Sequence, residues 1–255
     1  MHSDLGKNVL ITGANRGLGL AMVGEIAKNY NVDRIFACCR EPTKAKDLIE
    51  VKRKYPIVNI IKLDIQNDTT IKAAVEEVKK ILGHEHLNVL INNAAIFENS
   101  LDEKSDGSFE TPERGYFNRH FDVNITGLTM VSGAFLPLLK KASAAKERAL
   151  LINLSSTLGS INVALACQTL TNKNIAYCLT KAAVNHYTHM VGTYLEGTGV
   201  IVACFCPGWV KTDMGTEIAE LTIDESIPHL IKTISNLTKE KNGGYYTRYG
   251  EVIPW

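Results

Sequence analysis

Short apolar runs alternate along the chain with segments whose apolar residues recur about every 3.6 positions. The apolar runs are continuous rather than alternating between apolar and polar, which is typical of strands buried on both faces of a sheet. The strands predicted in this way span residues 8–12, 34–39, 58–63, 87–91, 149–154 and 200–205.

The segments between these runs predict helices, of which residues 71–82 give the clearest pattern. Strands that alternate with helices at this spacing indicate right-handed βαβ units and a parallel sheet, so the predicted fold class is α/β. No linker rich in proline or serine divides the chain. We therefore expect a single domain over residues 1–255.

Composition narrows the class of protein further. Hydrophobic residues make up 45% of the 255 residues and charged residues 22%, which excludes a disordered chain or a disulfide scaffold. The formal net charge of +1 predicts no general attraction to nucleic acid. We find no signal-peptide pattern and expect no membrane span, and the six cysteines lack the spacing of a metal site. We expect reduced thiols and a cytoplasmic protein.

A glycine-rich turn follows the first predicted strand and leads into a helical pattern. Gly13, Gly17 and Gly19 let the backbone approach a phosphate, and the helix N-terminus behind them offers N–H groups to it. No Lys-Ser/Thr pair follows, so a triphosphate-binding loop is not indicated. A tight turn without a ligand is the alternative, and the strand–turn–helix order favours a dinucleotide.

The second predicted strand ends at Cys38, Cys39 and Arg40, where an enzyme selective for NAD usually carries an acidic residue. Arg16 and Arg40 could instead flank the 2′-phosphate of NADP(H), because a guanidinium grips phosphate with two hydrogen bonds. Two solvated surface arginines are the alternative interpretation.

Tyr177 and Lys181 are four residues apart, on one face of a predicted helix, and Ser156 follows a buried strand. A tyrosine hydroxyl has a pKa of about 10, and a lysine charge ~4 Å away favours its phenolate by roughly 4 kcal/mol at an effective dielectric of about 20. That energy predicts a lowered tyrosine pKa, before desolvation opposes it. Such a tyrosine can donate a proton to a carbonyl oxygen or remove one from an alcohol.

These motifs occur in a recognisable order: TGANRGLG at 12–19, Asp64-Ile65, Asn92 to Ala95, Asn124, Ser155-Ser156, Tyr177 with Lys181, and residues 207–212. In this order and over essentially its full length, the chain resembles the short-chain dehydrogenases/reductases, and within them the Sniffer-type carbonyl reductases. The resemblance implies a Rossmann-type doubly wound parallel sheet of about seven strands, flanked by helices on both faces.

The resemblance also implies roles for individual residues. Tyr177 would be the acid/base, Lys181 would lower its pKa and hold the nicotinamide ribose, Ser156 would bind the substrate oxygen, and Asn124 would support a proton relay. With Tyr177, Lys181, Arg16 and Arg40, the residues implied to bind NADP(H) are Gly13, Asn15, Gly17, Leu18, Gly19, Asp64, Ile65, Asn92, Asn93, Ala94, Pro207, Gly208, Val210 and Thr212.

Two features depart from the family pattern. Ala95 stands where the family has glycine, and a positive φ there would cost about 1 kcal/mol. Ser156 and Tyr177 are 21 residues apart, and the surplus at 164–174 resembles a carbonyl-reductase segment that borders the substrate pocket. The polar segment 98–114 is also placed at the predicted ligand edge of the sheet.

The function predicted from these residues is NADPH-dependent reduction of aldehydes, ketones or quinones. An apolar pocket would use Ile96, Phe97, Trp209 and Met214 beside Ser156. Alcohol oxidation at the same site, a non-catalytic redox-sensing module and a scaffold protein remain alternatives. The helix from Tyr177 could pack on a second copy as a homodimer, or its mixed face could be core.

Overall fold

Seven parallel strands form one sheet in the order β3-β2-β1-β4-β5-β6-β7. The structure is a computed structural model that describes residues 4–98, 111–164 and 174–255. The strands are β1 (Asn8–Thr12), β2 (Arg34–Cys39), β3 (Val58–Lys62), β4 (Val89–Asn92), β5 (Leu150–Leu154), β6 (Ile201–Cys206) and β7 (Gly244–Thr247). The predicted α/β class and doubly wound parallel sheet are confirmed.

Helices cover both faces of this sheet. They are α1 (Gly17–Asn29), α2 (Lys46–Lys54), α3 (Asp68–Leu82), α4 (Arg114–Phe121), α5 (Leu128–Ala144), α6 (Ile161–Ala164), α7 (Ile175–Tyr194) and α8 (Ile223–Ser235). A π-helical segment, Asp122–Gly127, joins α4 to α5. Parts of the predicted segments 98–114 and 164–174, namely residues 99–110 and 165–173, lie outside the described residues.

Neighbouring residues of one strand enter different cores, which explains the continuous apolar runs. Val9 and Ile11 pack with α1, α2 and α8 in a first core on one face, whereas Leu10 packs with α3 and α5 in a second core on the other face. Successive side chains of a strand point to opposite faces, so a strand covered on both sides must be apolar throughout.

The chain reverses direction across the sheet at the centre. It builds β1, β2 and β3 to one side and then continues with β4 on the other side of β1. In open α/β sheets, ligands bind outside the carboxyl ends of the strands at this switch point. The loops after β1, β4, β5 and β6, which carry the predicted site, all leave from that edge.

The continuous helical stretch Arg114–Ala144 has the length and hydropathy of a membrane span, and it is the one such helix in the part of the chain that the structure describes. Half of its most apolar window is buried. Val131, Phe135 and Leu139 pack against the sheet within the second core. Packing inside the fold therefore accounts for its apolar character.

Candidate active site

The turn after β1 requires glycine at each of its three glycine positions, because of a positive φ angle or a close approach of the backbone. Gly13 and Gly17 have φ angles of +64° and +52°, and a Cβ atom on Gly19 would lie 2.1 Å from the Gly13 carbonyl oxygen. Arg16 precedes α1, and its side chain does not cap the helix. The first N–H groups of α1 therefore face the turn, as required for binding a pyrophosphate.

The end of β4 is tied to this turn by hydrogen bonds. Asn93 Nδ2 donates to the carbonyl oxygens of Thr12 (2.9 Å) and Gly13 (3.1 Å). Thr12 Oγ1 accepts from the backbone N–H groups of Asn93 and Ala94, each at 3.0 Å. Asn92 instead turns into the core, where Nδ2 donates to Ser132 Oγ and Asn153 Oδ1. Of this motif, Asn93 and Ala94 border the crevice.

Backbone strain does not arise at Ala95. Among the described residues other than glycine, positive φ angles occur only at Lys146 and Thr216. The cost considered for alanine at this family glycine position is therefore absent, and the loop after β4 accommodates the methyl group.

Arg16 and Arg40 lie in the loops that follow the neighbouring strands β1 and β2. The Ala14 N–H group donates to the Cys38 carbonyl at 2.9 Å, which joins the two loops. Both arginines are exposed, and Arg16 Nη1 lies 3.0 Å from Asp213 Oδ2. Glu41, the acidic residue that follows Arg40, is bound to Lys44 at 2.7 Å, and this contact lowers the pKa of its carboxyl group.

Asp64 and Ile65 lie directly after β3. Asp64 is half-buried, and its Oδ1 accepts from the Gln66 N–H group at 3.1 Å, so the carboxylate shapes its own turn. Ile65 is buried, and its carbonyl oxygen would lie 2.8 Å from a Cβ atom on Gly127. Together they form the wall of the crevice beyond β2, where the resemblance places the adenine.

Ser156 and Tyr177 meet in space although 21 residues separate them in sequence. Ser156 opens a short 3₁₀ turn after β5, and Tyr177 lies in the first turn of α7. The Ser156 side chain lies close enough to the Tyr177 hydroxyl to lower its pKa. The neighbouring Ser155 is buried and donates instead to Asn185 Oδ1 at 2.5 Å. Ser156 is therefore the serine that faces the tyrosine.

Lys181 lies one helical turn after Tyr177 and is only 4% exposed. Its Nζ donates to the Leu154 carbonyl at 2.9 Å and lies 5.5 Å from the centre of the Tyr177 ring. Burial lowers the pKa of Lys181 to about 8, because desolvation disfavours its charged form.

The pKa of Tyr177 is raised, whereas the sequence predicted a lowered value. Burial raises it well above its ordinary value, and the Ser156 side chain opposes this rise only in part. The lowered pKa inferred from a lysine one turn away is thus wrong for the protein alone. The physical reason is that the fold removes both groups from water, which disfavours the phenolate and the ammonium alike.

Asn124 lies in the π-helical segment and joins two parts of the site. Its Oδ1 accepts from the Ile96 N–H group (2.8 Å), and its Nδ2 donates to the Ile96 carbonyl (2.9 Å) and to Thr180 Oγ1 (3.1 Å). The loop after β4 is thereby fixed to the helix that carries Tyr177. π-Helical turns are frequent at functional sites, and here one places an amide between two site elements.

Of the residues predicted to bind substrate, Phe97 contacts the tyrosine directly. The Phe97 ring stands edge-on to the Tyr177 ring, with 4.7 Å between the centroids. Ile96 is half-buried against the second core. Trp209 and Met214, on the loop after β6, are 39% and 38% exposed, which is unusual for such large apolar side chains. Their exposure leaves apolar surface available to a ligand.

The loop after β6 approaches the glycine turn. Gly208 has a φ of +90°, and the Pro207 carbonyl accepts from Ser226 Oγ at 2.7 Å. Val210 pairs with Leu221 across the loop. Thr212 Oγ1 accepts from the Gly215 N–H group at 3.1 Å, and the Thr212 methyl carbon lies 3.6 Å from where a Gly17 Cβ would be. Residues 207–212 therefore close the crevice from the side of β6.

Sequence reasoning missed Tyr245 at this site. Tyr245 lies in β7, and its Oη donates to the Ser156 carbonyl at 2.5 Å. The strand is four residues long, begins with glycine and lacks the apolar run that marks the others. The tyrosine pair at 245–246 was the available signal, and only the register of β7 on β6 brings it to the serine.

Comparison with known proteins identifies the relationship. A family model described as short chain dehydrogenase matches residues 7–222. An oxidoreductase of Schizosaccharomyces pombe, C663.08c, is 30% identical over 99% of this chain and 100% of that protein.

In the described residues, no cluster of three His, Cys, Asp or Glu side chains could hold a metal.

Two solved carbonyl reductases share the fold closely. The NADPH-bound enzyme from chicken fatty liver superposes with a TM-score of 0.89 and 33% identity, over 98% of this chain and 99% of that one. Carbonyl reductase Sniffer of D. melanogaster gives a TM-score of 0.89 and 30% identity over the same shares. The chain is therefore an oxidoreductase of the short-chain dehydrogenase/reductase family, and it resembles the Sniffer-type carbonyl reductases.

Proposed function

We propose that this protein is an NADPH-dependent reductase of aldehydes, ketones or quinones. The observation that carries the proposal is the arrangement of Ser156, Tyr177 and Lys181 at the ligand edge of the sheet, beside the glycine turn. Two neighbouring hydroxyl groups, with a buried lysine one helical turn away, can bind a carbonyl oxygen and deliver a proton to it.

The residues present fit a dinucleotide. The uncapped start of α1 and the bare backbone at Gly13 and Gly19 form a cradle that a Cβ atom would fill. Asn15, Gly17 and Leu18 complete that turn, Asp64 and Ile65 line the adenine side, and residues 207–212 line the nicotinamide side. When bound, the reduced cofactor supplies the hydride that reduces the carbonyl carbon.

The side chains supply binding and the proton. Ser156 Oγ–H and Tyr177 Oη–H both donate to the substrate oxygen, which gains negative charge as the carbon is reduced. Tyr177 then gives up its proton to the oxygen, and the O–H bond of the alcohol forms while the phenolic O–H bond breaks. The alkoxide is the stronger base, so a tyrosine with a raised pKa still protonates it.

The tyrosine must recover its proton from solvent after each turnover. Protonated Lys181 stabilises the phenolate through its charge and lies between Tyr177 and the Leu154 carbonyl. Asn124 holds the loop after β4 against α7, so it keeps this path in place. We propose that a proton relay from water reaches Tyr177 through Lys181 along this side.

The proposed preference for NADP(H) rests on Arg16 and Arg40. An Arg40→Asp variant should lose about 10- to 100-fold in kcat/KM with NADPH, because one charge-assisted grip on phosphate contributes roughly 1.5–3 kcal/mol. Activity with NADH should stay the same or rise. The matched control is Lys239→Asp, the same charge change at an exposed position beside β7, the far edge of the sheet. Equal losses with both cofactors would contradict the assignment of Arg40.

Substrate choice is proposed from the apolar residues predicted to line the pocket. Phe97, Trp209, Met214 and Ile96 favour quinones, aromatic ketones and lipid-derived aldehydes over small polar carbonyls. The test follows NADPH absorbance with an ortho-quinone, 4-hydroxynonenal, an aromatic ketone and an aliphatic aldehyde. Turnover of the apolar carbonyls with NADPH is expected. NADPH binding without turnover of any of them would favour the non-catalytic module, and turnover of alcohols with NADP⁺ alone would favour the dehydrogenase.

The setting of the enzyme is also part of the proposal. We propose that residues 1–255 form one domain that acts in the cytoplasm on small molecules. The cysteines of the described residues are free, and Cys38, Cys39, Cys204 and Cys206 are buried, and buried thiols are compatible with a reducing compartment. Leu179, Met190 and Tyr194 expose apolar surface on α7, which supports a homodimer through that helix.

A further inference from the structure

Tyr245, which has no role in the proposed reaction, contacts the turn that begins at Ser156. The Ser156 carbonyl accepts two hydrogen bonds, from the Gly159 N–H group of its own turn at 2.9 Å and from Tyr245 Oη at 2.5 Å. Tyr245 is 1% exposed. Burial raises the pKa of this tyrosine far above its ordinary range, so its hydroxyl stays a donor at every working pH.

Tyr245 is itself held in place by the last described residues of the chain. The Tyr245 and Trp255 rings stack with 5.6 Å between their centroids. The Ile253 N–H group donates to the Tyr245 carbonyl at 2.9 Å. The tyrosine ring is thus fixed on one side by a neighbouring indole and along its backbone by residue 253.

The same terminal segment binds the start of the region after Ser156. The Pro254 carbonyl accepts from Ser160 Oγ at 2.6 Å, and the Trp255 carbonyl accepts from the Asn162 N–H group at 3.3 Å. Val163 packs on the apolar cluster of Tyr245, Ile253, Cys204 and Cys206. Residues 253–255 therefore connect β7 with residues 160–163.

Trp255 also reaches the helix that carries the tyrosine of the site. The His189 ring on α7 stands edge-on to the Trp255 ring, with 5.7 Å between the centroids. A single indole thus contacts both the strand that supports the Ser156 turn and the helix that begins at Tyr177. The distance between the two hydroxyl groups depends on how these elements are held together.

We propose that Tyr245 is a positioning residue that sets the orientation of Ser156 toward the substrate oxygen, and that Trp255 locks Tyr245 in place. The inference rests on the proposed function of Ser156. Tyr245 acts through the Ser156 peptide group, because its hydroxyl bonds to the backbone carbonyl and not to the reacting side chain. Loss of that bond lets the peptide rotate and moves Oγ away from its position beside Tyr177.

A kinetic test separates positioning from general stability. Tyr245→Phe keeps the ring and its stacking on Trp255, and it should lower kcat roughly 5- to 10-fold while KM changes less than about 2-fold, as expected for loss of one hydrogen bond. In a Ser156→Ala background the same substitution should have no further effect, because both changes act through one group. A multiplicative loss in the double variant would overturn the proposal.

Tyr246→Phe is the matched control. Tyr246 is the next residue of β7, and its Oη donates to the Lys241 carbonyl at 3.0 Å, away from the Ser156 turn. It should leave kcat unchanged even if it lowers the thermal midpoint as much as Tyr245→Phe does. Equal losses of kcat in the two variants would show a merely structural role and overturn the proposal.

A second measurement does not depend on turnover. Hydrogen exchange of the peptide that spans residues 155–163 should be faster in Tyr245→Phe and in Trp255→Ala, and unchanged in Tyr246→Phe. Unchanged exchange in Tyr245→Phe would overturn the proposal that Tyr245 holds the Ser156 turn. If exchange changes as expected but the wild type reduces no carbonyl, Tyr245 and Trp255 still hold this turn and the proposed function fails.

Discussion

Replacing Tyr177 with phenylalanine should lower kcat for carbonyl reduction about 10²- to 10⁴-fold, the range that a positioned general acid contributes. The variant loses the hydroxyl group that donates the proton and keeps the aromatic ring. The ring remains to meet Phe97 edge-on, and the helix around it is unchanged. NADPH affinity should fall by less than about 10-fold, because Tyr177 would contribute one hydrogen bond to the cofactor, whereas the proposed phosphate contacts lie at the glycine turn and the arginines.

The measurement is kcat and KM with the best apolar carbonyl, beside NADPH titration by fluorescence. Tyr194→Phe serves as the control, because Tyr194 lies on the same helix and is 77% exposed. It should behave like the wild type. Retention of more than a tenth of the wild-type kcat by Tyr177→Phe would refute the assignment of Tyr177 as the acid.

The wild-type pH profile should also carry information about Tyr177. Its pKa lies well above the ordinary value because of burial, so the donor form persists through the whole accessible range. A loss of reductase activity near neutral or mildly alkaline pH must then come from another group. Lys181, with a pKa of about 8, is the group in direct reach of the tyrosine.

The sequence contains enough to predict the sheet but not all of its strands. Strands β1 and β2 lie where their apolar runs begin and end, because burial on both faces leaves a direct mark on composition. β7 leaves no such mark, since Gly244–Thr247 is short and gains its place from pairing with β6. Tyr245 was missed for the same reason.

The site could be predicted in its parts but not in its electrostatics. Glycine spacing and the Tyr177–Lys181 interval are local features, and the structure puts both at the predicted edge. That Ser156 reaches Tyr177 follows only from how β5 and α7 pack, because 21 residues separate the two in sequence. The direction of the Tyr177 pKa shift depends on desolvation, which no spacing in the sequence encodes.

Lys181→Met should be the second large loss. A unit charge ~5 Å from the phenolate contributes roughly 3 kcal/mol at an effective dielectric of about 20, which corresponds to about a 10²-fold fall in kcat/KM. In the wild type, activity should fall as pH rises above about 8, where Lys181 loses its proton. The variant should be slow at every pH and lack that fall. A wild-type rate that is flat through this range would argue against a role for the lysine charge.

Lys181 also affects the free energy of unfolding. Its pKa in the folded chain is lowered from 10.5 to about 8, so the unfolded chain binds more protons between these values. The free energy of unfolding of the wild type therefore rises between pH 8 and about 10.5. Below pH 8, burial of the charged Lys181 lowers this free energy by its full amount of roughly 3 kcal/mol. Lys181→Met removes the cost but leaves the Leu154 carbonyl without its donor, a penalty of about 1–3 kcal/mol, so the change at pH 7 is small.

The difference in unfolding free energy between wild type and Lys181→Met is consequently best followed against pH. It should shift in favour of the wild type by about 1 kcal/mol per pH unit above pH 8. A difference that stays constant from pH 7 to 9.5 would mean that Lys181 is not desolvated as the fold indicates. A pH-dependent difference together with the expected kinetic loss would show that the fold gives up stability to keep a buried charge beside Tyr177.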